Sequence, residues 1–159
     1  MEPRLMSAAT DPAVLLAGPK GARLRLGPAI RQAEQSVTAA KVEALRGLGL
    51  TVPQYAVLLQ LAERTDRSGA QLARGAAVTP QTMAGVLANL ETKGLIERQQ
   101  SEVHGKVMLA RLTEAGEGLL AEADDRAVGV EAALWSAFAP EEREQLCALL
   151  RRAATALRP

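Results

Sequence analysis

The chain has 159 residues, 48% of them apolar and 2% aromatic, with a net charge of +1. That length suits one domain, or one domain with an extended arm, and a core so poor in rings must be built from Leu, Val and Ala, which favours helices. The near-zero net charge implies no partner by itself, and the single cysteine, Cys147, excludes an internal disulfide and points to a reducing cytoplasm.

Charge is unevenly spread along the chain. Residues 1–50 carry seven Lys/Arg and four Asp/Glu, residues 51–112 seven and five, and residues 113–159 five and nine. The acidic end reads as a solvated or partner-binding surface, and the basic part lies upstream. No apolar run approaches the ~20 residues of a membrane helix, so no membrane partner is expected. AVLLAG (13–18) is too short, is bracketed by Pro12 and Pro19, and lacks the charged-then-apolar order of a signal peptide.

Residues 1–28 hold Pro3, Pro12, Pro19 and Pro28 together with Gly18, Gly21 and Gly27, and read as an irregular arm. From Ala29 to about Arg46, Ile30, Ala33, Val37, Ala40 and Ala44 recur at helical spacing, and Gly47 and Gly49 end that helix. Thr51 and Pro53 start a second helix, with Tyr55, Leu58, Leu59 and Ala62 on one side. Ser68 opens a short third helix to about Gly75, and Gln71 completes a capping-box pattern with it. GAAV then leads to VTPQTMAGVLANLETKGL (78–95). There Thr79 is the expected cap, Pro80 sits in the first turn and Gly94 closes the helix. Two short helices across a brief turn make a helix-turn-helix candidate.

After Gly94 the period changes. LIERQQ (95–100) and KVMLARL (106–112) read as strands joined by the polar turn SEVHG, a hairpin directly after a helix-turn-helix. The fold class expected is therefore mainly α with a small β-hairpin wing. Thr113 caps a long helix to about Phe138 with a heptad pattern: Gly116, Ala123, Val130 and Ala137, with Leu120, Ala127 and Leu134 between them. Pro140 and Glu141 open a last helix with Leu146, Leu149, Leu150, Ala153 and Leu157 on its apolar face. No internal repeat is apparent.

The ordered motifs GLTVPQYAVL (49–58), SGAQLAR (68–74), VTPQTMAGVLANLETKGLIER (78–98) and RLTEAGEGLL (111–120) resemble the MarR family of winged-helix transcription regulators. Their order and spacing carry the resemblance, which covers most of the chain beyond the arm. It implies an arm (1–28), a helical dimerisation region (29–50 and 113–159) and a DNA-binding lobe (51–112). It also implies a homodimer that meets a pseudo-palindrome in double-stranded DNA with one recognition helix per half-site. Repression relieved by a small aromatic or lipophilic effector is implied too. Ile30, Val37, Leu134, Leu146, Leu149, Leu150 and Leu157 become the expected dimerisation residues.

On this reading Thr79, Gln81 and Thr82 face the groove. Gln can read adenine through two hydrogen bonds, and Thr can contact a base or a thymine methyl. Ala84 offers a methyl contact, Ser68 joins the DNA-facing set, and Met83, Val86, Leu87 and Leu90 are core. The chain departs from the family, whose members often carry Arg at the position of Gly85 and another near Asn89; this chain has neither. It departs again in the wing, where His104 and Lys106 stand in place of Asp-x-Arg. Gly85 weakens the helix by roughly 1 kcal/mol relative to Ala. Lys106 keeps a positive charge but lacks the fork of Arg, and His104 is read either as a solvated loop residue or as a phosphate contact. Arg64, Arg67, Arg74, Lys93, Arg98 and Arg111 supply positive charge as a set, with Arg74 and Arg98 the favoured phosphate contacts.

Three further positions carry expectations. Cys147 is read as a buried small hydrophobe. Tyr55 and Trp135 are read as packing residues, with Tyr55 also a candidate to line an effector pocket. The carboxylates Glu122, Asp124 and Asp125 are read as solvated surface. One His and one Cys cannot form a His/Cys metal site, and no Gly-rich phosphate loop is present, so no cofactor and no catalytic constellation are expected. A competing reading, supported by the uncharged helix 79–90, is a winged-helix interaction module that reads no specific DNA.

Overall fold

The structure is a computed structural model, and it describes residues 16–22, 25–76, 78–103 and 105–157. The chain divides into two compact units, residues 1–38 and 39–159. Helix α1 (Gly18–Ala22) lies in the first. Helix α2 (Leu26–Ala44) follows, and none of its residues is buried. The stretch expected to be irregular up to residue 28 therefore contains a helical turn and the start of α2. Pro28 does not block α2, because it falls in the first turn, where its missing N–H has no intrahelical acceptor.

The second unit holds a core around α3 (Val52–Glu63), α4 (Gly69–Gly75) and α5 (Pro80–Thr92). Each begins at a hydroxyl cap. The Thr51 side chain accepts from Gln54 N, and the Gln54 side chain accepts from Thr51 N at 3.0 Å. Ser68 and Gln71 repeat the reciprocal box at α4. Thr79 Oγ1 accepts from Thr82 N at 3.1 Å. Such caps contribute ~1 kcal/mol each, which matters for helices of this length. Gly94 closes α5 at φ +69°, a left-handed backbone that favours glycine.

Three antiparallel strands flank these helices: β1 (Arg67–Ser68), β2 (Ile96–Gln100) and β3 (Met108–Leu112), in the order β1-β3-β2. Arg98 faces Ala110 and Ile96 faces Leu112 across the hairpin, and Ser68 faces Leu109. β1 was not expected from the sequence, since two residues carry no period. Its backbone groups pair with β3, so the residue that opens α4 also closes the sheet.

Helix α6 (Glu114–Ser136) is tied at its start to the β2 end of the wing. Thr113 N donates to Leu95 O at 3.2 Å, and Thr113 Oγ1 donates to Gly94 O at 2.6 Å. Gly116 then lies so close to Leu95 that a methyl in its place would overlap the Leu95 carbonyl. Leu120, Ala123 and Ala127 continue the buried stripe against α3. Beyond Ala127 the stripe surfaces: Val130 is half-buried and Leu134 exposed. The heptad pattern is real, but only its first half packs within the chain. Helix α7 (Pro140–Ala156) buries no residue.

Two expectations fail at the α6–α7 corner for that reason. Trp135 is 63% exposed and stacks only with the Arg143 guanidinium, 4.3 Å from its ring centroid. Cys147 is exposed, not a buried hydrophobe, because α7 has no core of its own to enter.

One hydrogen bond joins α3 to α6 in the core. Tyr55, 7% exposed, donates its hydroxyl to Asp124 Oδ1 at 2.6 Å. Asp124 is thus part-buried and occupied, not solvated, whereas Glu122 pairs with Arg126 at 2.6 Å as a surface acid. Burial, then the bond to Asp124, then the charges of Asp124 and Glu131 push the Tyr55 phenol up to about 12.

The packing sets opposite signs for two glycine substitutions. Gly116→Ala will lower stability by about 2 kcal/mol, because overlap with backbone outweighs the propensity gain. Gly85→Ala, in open space, will raise stability by up to ~1 kcal/mol; thermal melts of both variants check the two signs. Tyr55 is the only tyrosine, so phenolate absorbance reads it alone. The folded chain should titrate with a midpoint near 12, Asp124→Asn should come lower but stay raised by burial, and the denatured chain should fall to about 10. Because the folded value is the higher one, this contribution is full below about pH 10 and is lost between there and about 12. A folded midpoint at the denatured value would refute the bond.

Candidate nucleic-acid interface

Helix α5 has two unlike faces. Met83, Leu87 and Leu90 are buried against the core, which leaves Gln81, Thr82, Ala84 and Gly85 pointing outward and exposed. A side chain at Gly85 would meet nothing within 4 Å. Thr79 spends its hydroxyl on the cap and shares a 2.9 Å hydrogen bond with Thr82 Oγ1. Gln81 makes no hydrogen bond among the described residues, so its amide is available in full to an outside partner. Of the first-turn groups of α5, Pro80 has no N–H, and Thr82 N and Met83 N are spent on Thr79, which leaves Gln81 N to suit a phosphate oxygen. Ser68 differs from expectation: it is half-buried, its hydroxyl donates to Gln71 Oε1 at 3.1 Å, and it belongs to β1.

The basic residues divide by partner. Arg64, Arg74 and Lys106 are exposed, and their side chains have no ion-pair or hydrogen-bond partner among the described residues. Arg67 Nη1 donates to the neutral Gln60 Oε1 at 3.0 Å and so keeps its charge uncompensated. Arg64, Arg67 and Arg74 meet around a groove of about 310 Å³ that also contains Asp66 and Gln71. The bend at Asp66, with φ 57°, brings the first two toward α4. Arg98 lies 3.8 Å from Glu91. Arg111 lies 3.1 Å from Glu97 and 4.0 Å from Asp66. His104 falls outside the described residues.

Lys93 is exposed, and its ammonium donates to Gly49 O at 2.5 Å and Gln54 Oε1 at 3.3 Å, both neutral acceptors, so it keeps its charge as Arg67 does while being tied in place. Gln54, the buried polar residue at 6% exposure, also donates to Asn89 Oδ1 at 2.6 Å. Asn89 is exposed, and its amide oxygen is therefore committed to Gln54. The signal in the sequence was an amide in the first turn of α3, which reads equally well as a cap.

A second feature lies between α3, β3 and α6. A cavity of about 570 Å³ is walled by aliphatic side chains, including Leu59, Ala62, Leu112 and Leu120, with Thr65, Arg111, Glu117 and Asp124 at its edges. Tyr55 does not line it; its hydroxyl reaches the cavity only through Asp124. Asp124 was missed from sequence, although it sits four residues after Leu120 and one after Ala123, at the margin of the buried stripe. The residues expected at a dimer surface are open: Ile30, Leu134, Leu149, Leu150 and Leu157 are exposed, and Val37 and Leu146 half-buried. Among the described residues no group of three His, Cys, Asp or Glu is placed to hold a metal, and no helix is long and apolar enough to cross a membrane.

Known proteins share this outline. A family model described as MarR family matches residues 48–106, which run from the turn after α2 to the loop between β2 and β3. The HTH-type transcriptional repressor Rv2887 of Mycobacterium tuberculosis is 38% identical over 102 residues, 64% of this chain and 73% of that protein. A solved structure of Rv2887 with p-aminosalicylic acid has a TM-score of 0.64 at 28% identity, covering 82% of this chain and 98% of that one. The transcriptional repressor CouR, bound to a 23-mer DNA duplex, has a TM-score of 0.77 at 25% identity, covering 84% of this chain and 94% of that one. With this matching order of elements and this level of identity, the chain belongs to the MarR family of winged-helix regulators.

Proposed function

We propose that the protein is a homodimeric transcriptional repressor that binds a pseudo-palindromic operator and is released by a small effector. The observation that carries this is the division of α5, whose core-facing side is apolar and whose outer face at Gln81, Thr82, Ala84 and Gly85 is open. Base recognition needs unspent hydrogen-bonding groups at the helix start, and Gln81 has them. Phosphate attraction comes from beside the helix, at Arg64, Arg67, Arg74 and Lys106. CouR bound to duplex DNA supports the DNA role, and Rv2887 with p-aminosalicylic acid supports a small-molecule effector. The acting place on this reading is the cytoplasm, where the operator is.

Dimerisation is proposed from α2 and α7. Neither buries a residue within one chain, and both present large apolar side chains. A second copy would cover them, in the isologous manner of a twofold dimer. The effector would act by population shift, favouring a dimer whose recognition helices no longer match the groove spacing.

A mobility-shift assay on the protein's own upstream DNA, with nonspecific competitor, tests the central reading. Gln81→Ala should cost about tenfold in operator affinity and relax selectivity. Arg74→Ala should weaken specific and nonspecific duplexes alike and reduce the salt slope by about one. Equal affinity for operator and competitor would favour an interaction module instead. In sedimentation, the wild-type chain should run as a dimer and Leu146→Glu with Leu150→Glu as a folded monomer; a wild-type monomer at micromolar concentration would defeat the dimer.

A further inference from the structure

The α3–β3–α6 cavity has a charge balance that bears on what it takes. Its walls are aliphatic, and the groups at its edges are Thr65, Arg111, Glu117 and Asp124. Arg111 is the one cation in the lining, and its charge is already shared. Its Nε lies 3.1 Å from Glu97 Oε1 and 4.0 Å from Asp66 Oδ1. That Nε is buried and has no aligned hydrogen-bond acceptor, so Glu97 holds it by charge alone. A carboxylate entering the cavity would compete with two resident carboxylates for one guanidinium.

The acids are less compensated. Neither Glu117 nor Asp124 has a cation within ion-pair distance among the described residues. Glu117 lies in the first turn of α6, where the helix N-terminus offsets part of its charge. Asp124 lies well beyond that turn, and its side chain is held by the neutral Tyr55 hydroxyl on Oδ1. A half-buried carboxylate without a counter-charge, at the edge of an aliphatic cavity, attracts a cation more strongly than a solvated one does.

We infer that this cavity takes a lipophilic cation, a protonated amine on an apolar body, in preference to a carboxylate. The ammonium sits at Asp124, with Glu117 at the opening, and the apolar body lies along Leu59, Leu112 and Leu120. A volume of about 570 Å³ is within the range of sites for compact drug-sized ligands. The assignment rests on the proposed release by a small effector, places that effector in this cavity and narrows it by charge. It runs opposite to the acid that Rv2887 binds in its solved complex.

Three probes of matched shape test it: 4-phenylbutylamine, 4-phenylbutanol and 4-phenylbutyrate, titrated calorimetrically into the full chain near pH 7. The amine should bind about fivefold more tightly than the alcohol, and the acid most weakly. Asp124→Asn, which keeps an acceptor for Tyr55, should remove the amine–alcohol difference and leave the alcohol unchanged. Glu117→Gln, on an exposed side chain, should reduce that difference in part and serves if Asp124→Asn does not fold. Acid binding as tight as the amine, an amine preference surviving both substitutions, or no binding by any probe would overturn the assignment. Release of upstream DNA, followed with the same probes, separates the two readings. Release by the acid without amine preference overturns the charge assignment and leaves effector release standing. Asp124-dependent amine binding that leaves the DNA bound supports the assignment and removes effector release.

Discussion

A glutamine amide taken out of water must find partners for its oxygen and its nitrogen, or it costs more than it contributes. Gln54 finds them on two segments, the cap of α3 and the far end of α5. It closes the cap at Thr51, donates to Asn89 on α5, and accepts from Lys93, which itself reaches Gly49. The start of α3 and the far end of α5 are thereby locked in one arrangement, with the apolar contacts of Met83, Leu87 and Leu90 beneath. Apolar packing alone would hold α5 against the core but would tolerate rotation and sliding. Directional hydrogen bonds remove that freedom, and the outward aim of Gln81 depends on it.

The same lock explains how α5 can carry no charge from Pro80 to Leu90 without ceasing to be a candidate reader of DNA. Asn89 and Lys93 are tied to Gln54 and Gly49 at the far end of the helix, so positive potential at its start comes from its neighbours. Arg64, Arg67 and Arg74 around the α3–α4 junction, with Lys106 in the wing, supply it. On the proposed function, positioning and attraction are divided between different elements, and recognition is left to short polar and methyl groups.

Much of this was legible in the sequence because local chemistry decided it. Thr51, Ser68, Thr79 and Thr113 announce helix starts, Gly94 a helix end, and the change of period after it a hairpin. What escaped notice depends on groups distant in sequence. The strand β1 exists only because β3 lies beside it. Asp124 looks like one of several surface acids until Tyr55, 69 positions away, is placed against it. Lys93 looks like one more surface charge until Gly49 is found within reach. Trp135 and Cys147 were misread for a different reason: apolar character predicts burial somewhere, and their corner of the fold buries nothing within a single chain.

The empty space outside Gly85 has an evolutionary consequence. The residue touches neither the core nor the polar lock, and nothing stands where its side chain would be. A mutation there can place almost any group on the outer face without disturbing the fold. On the proposed function, descendants of this chain could therefore drift toward new operator sequences through this position, with stability rising at most of the steps.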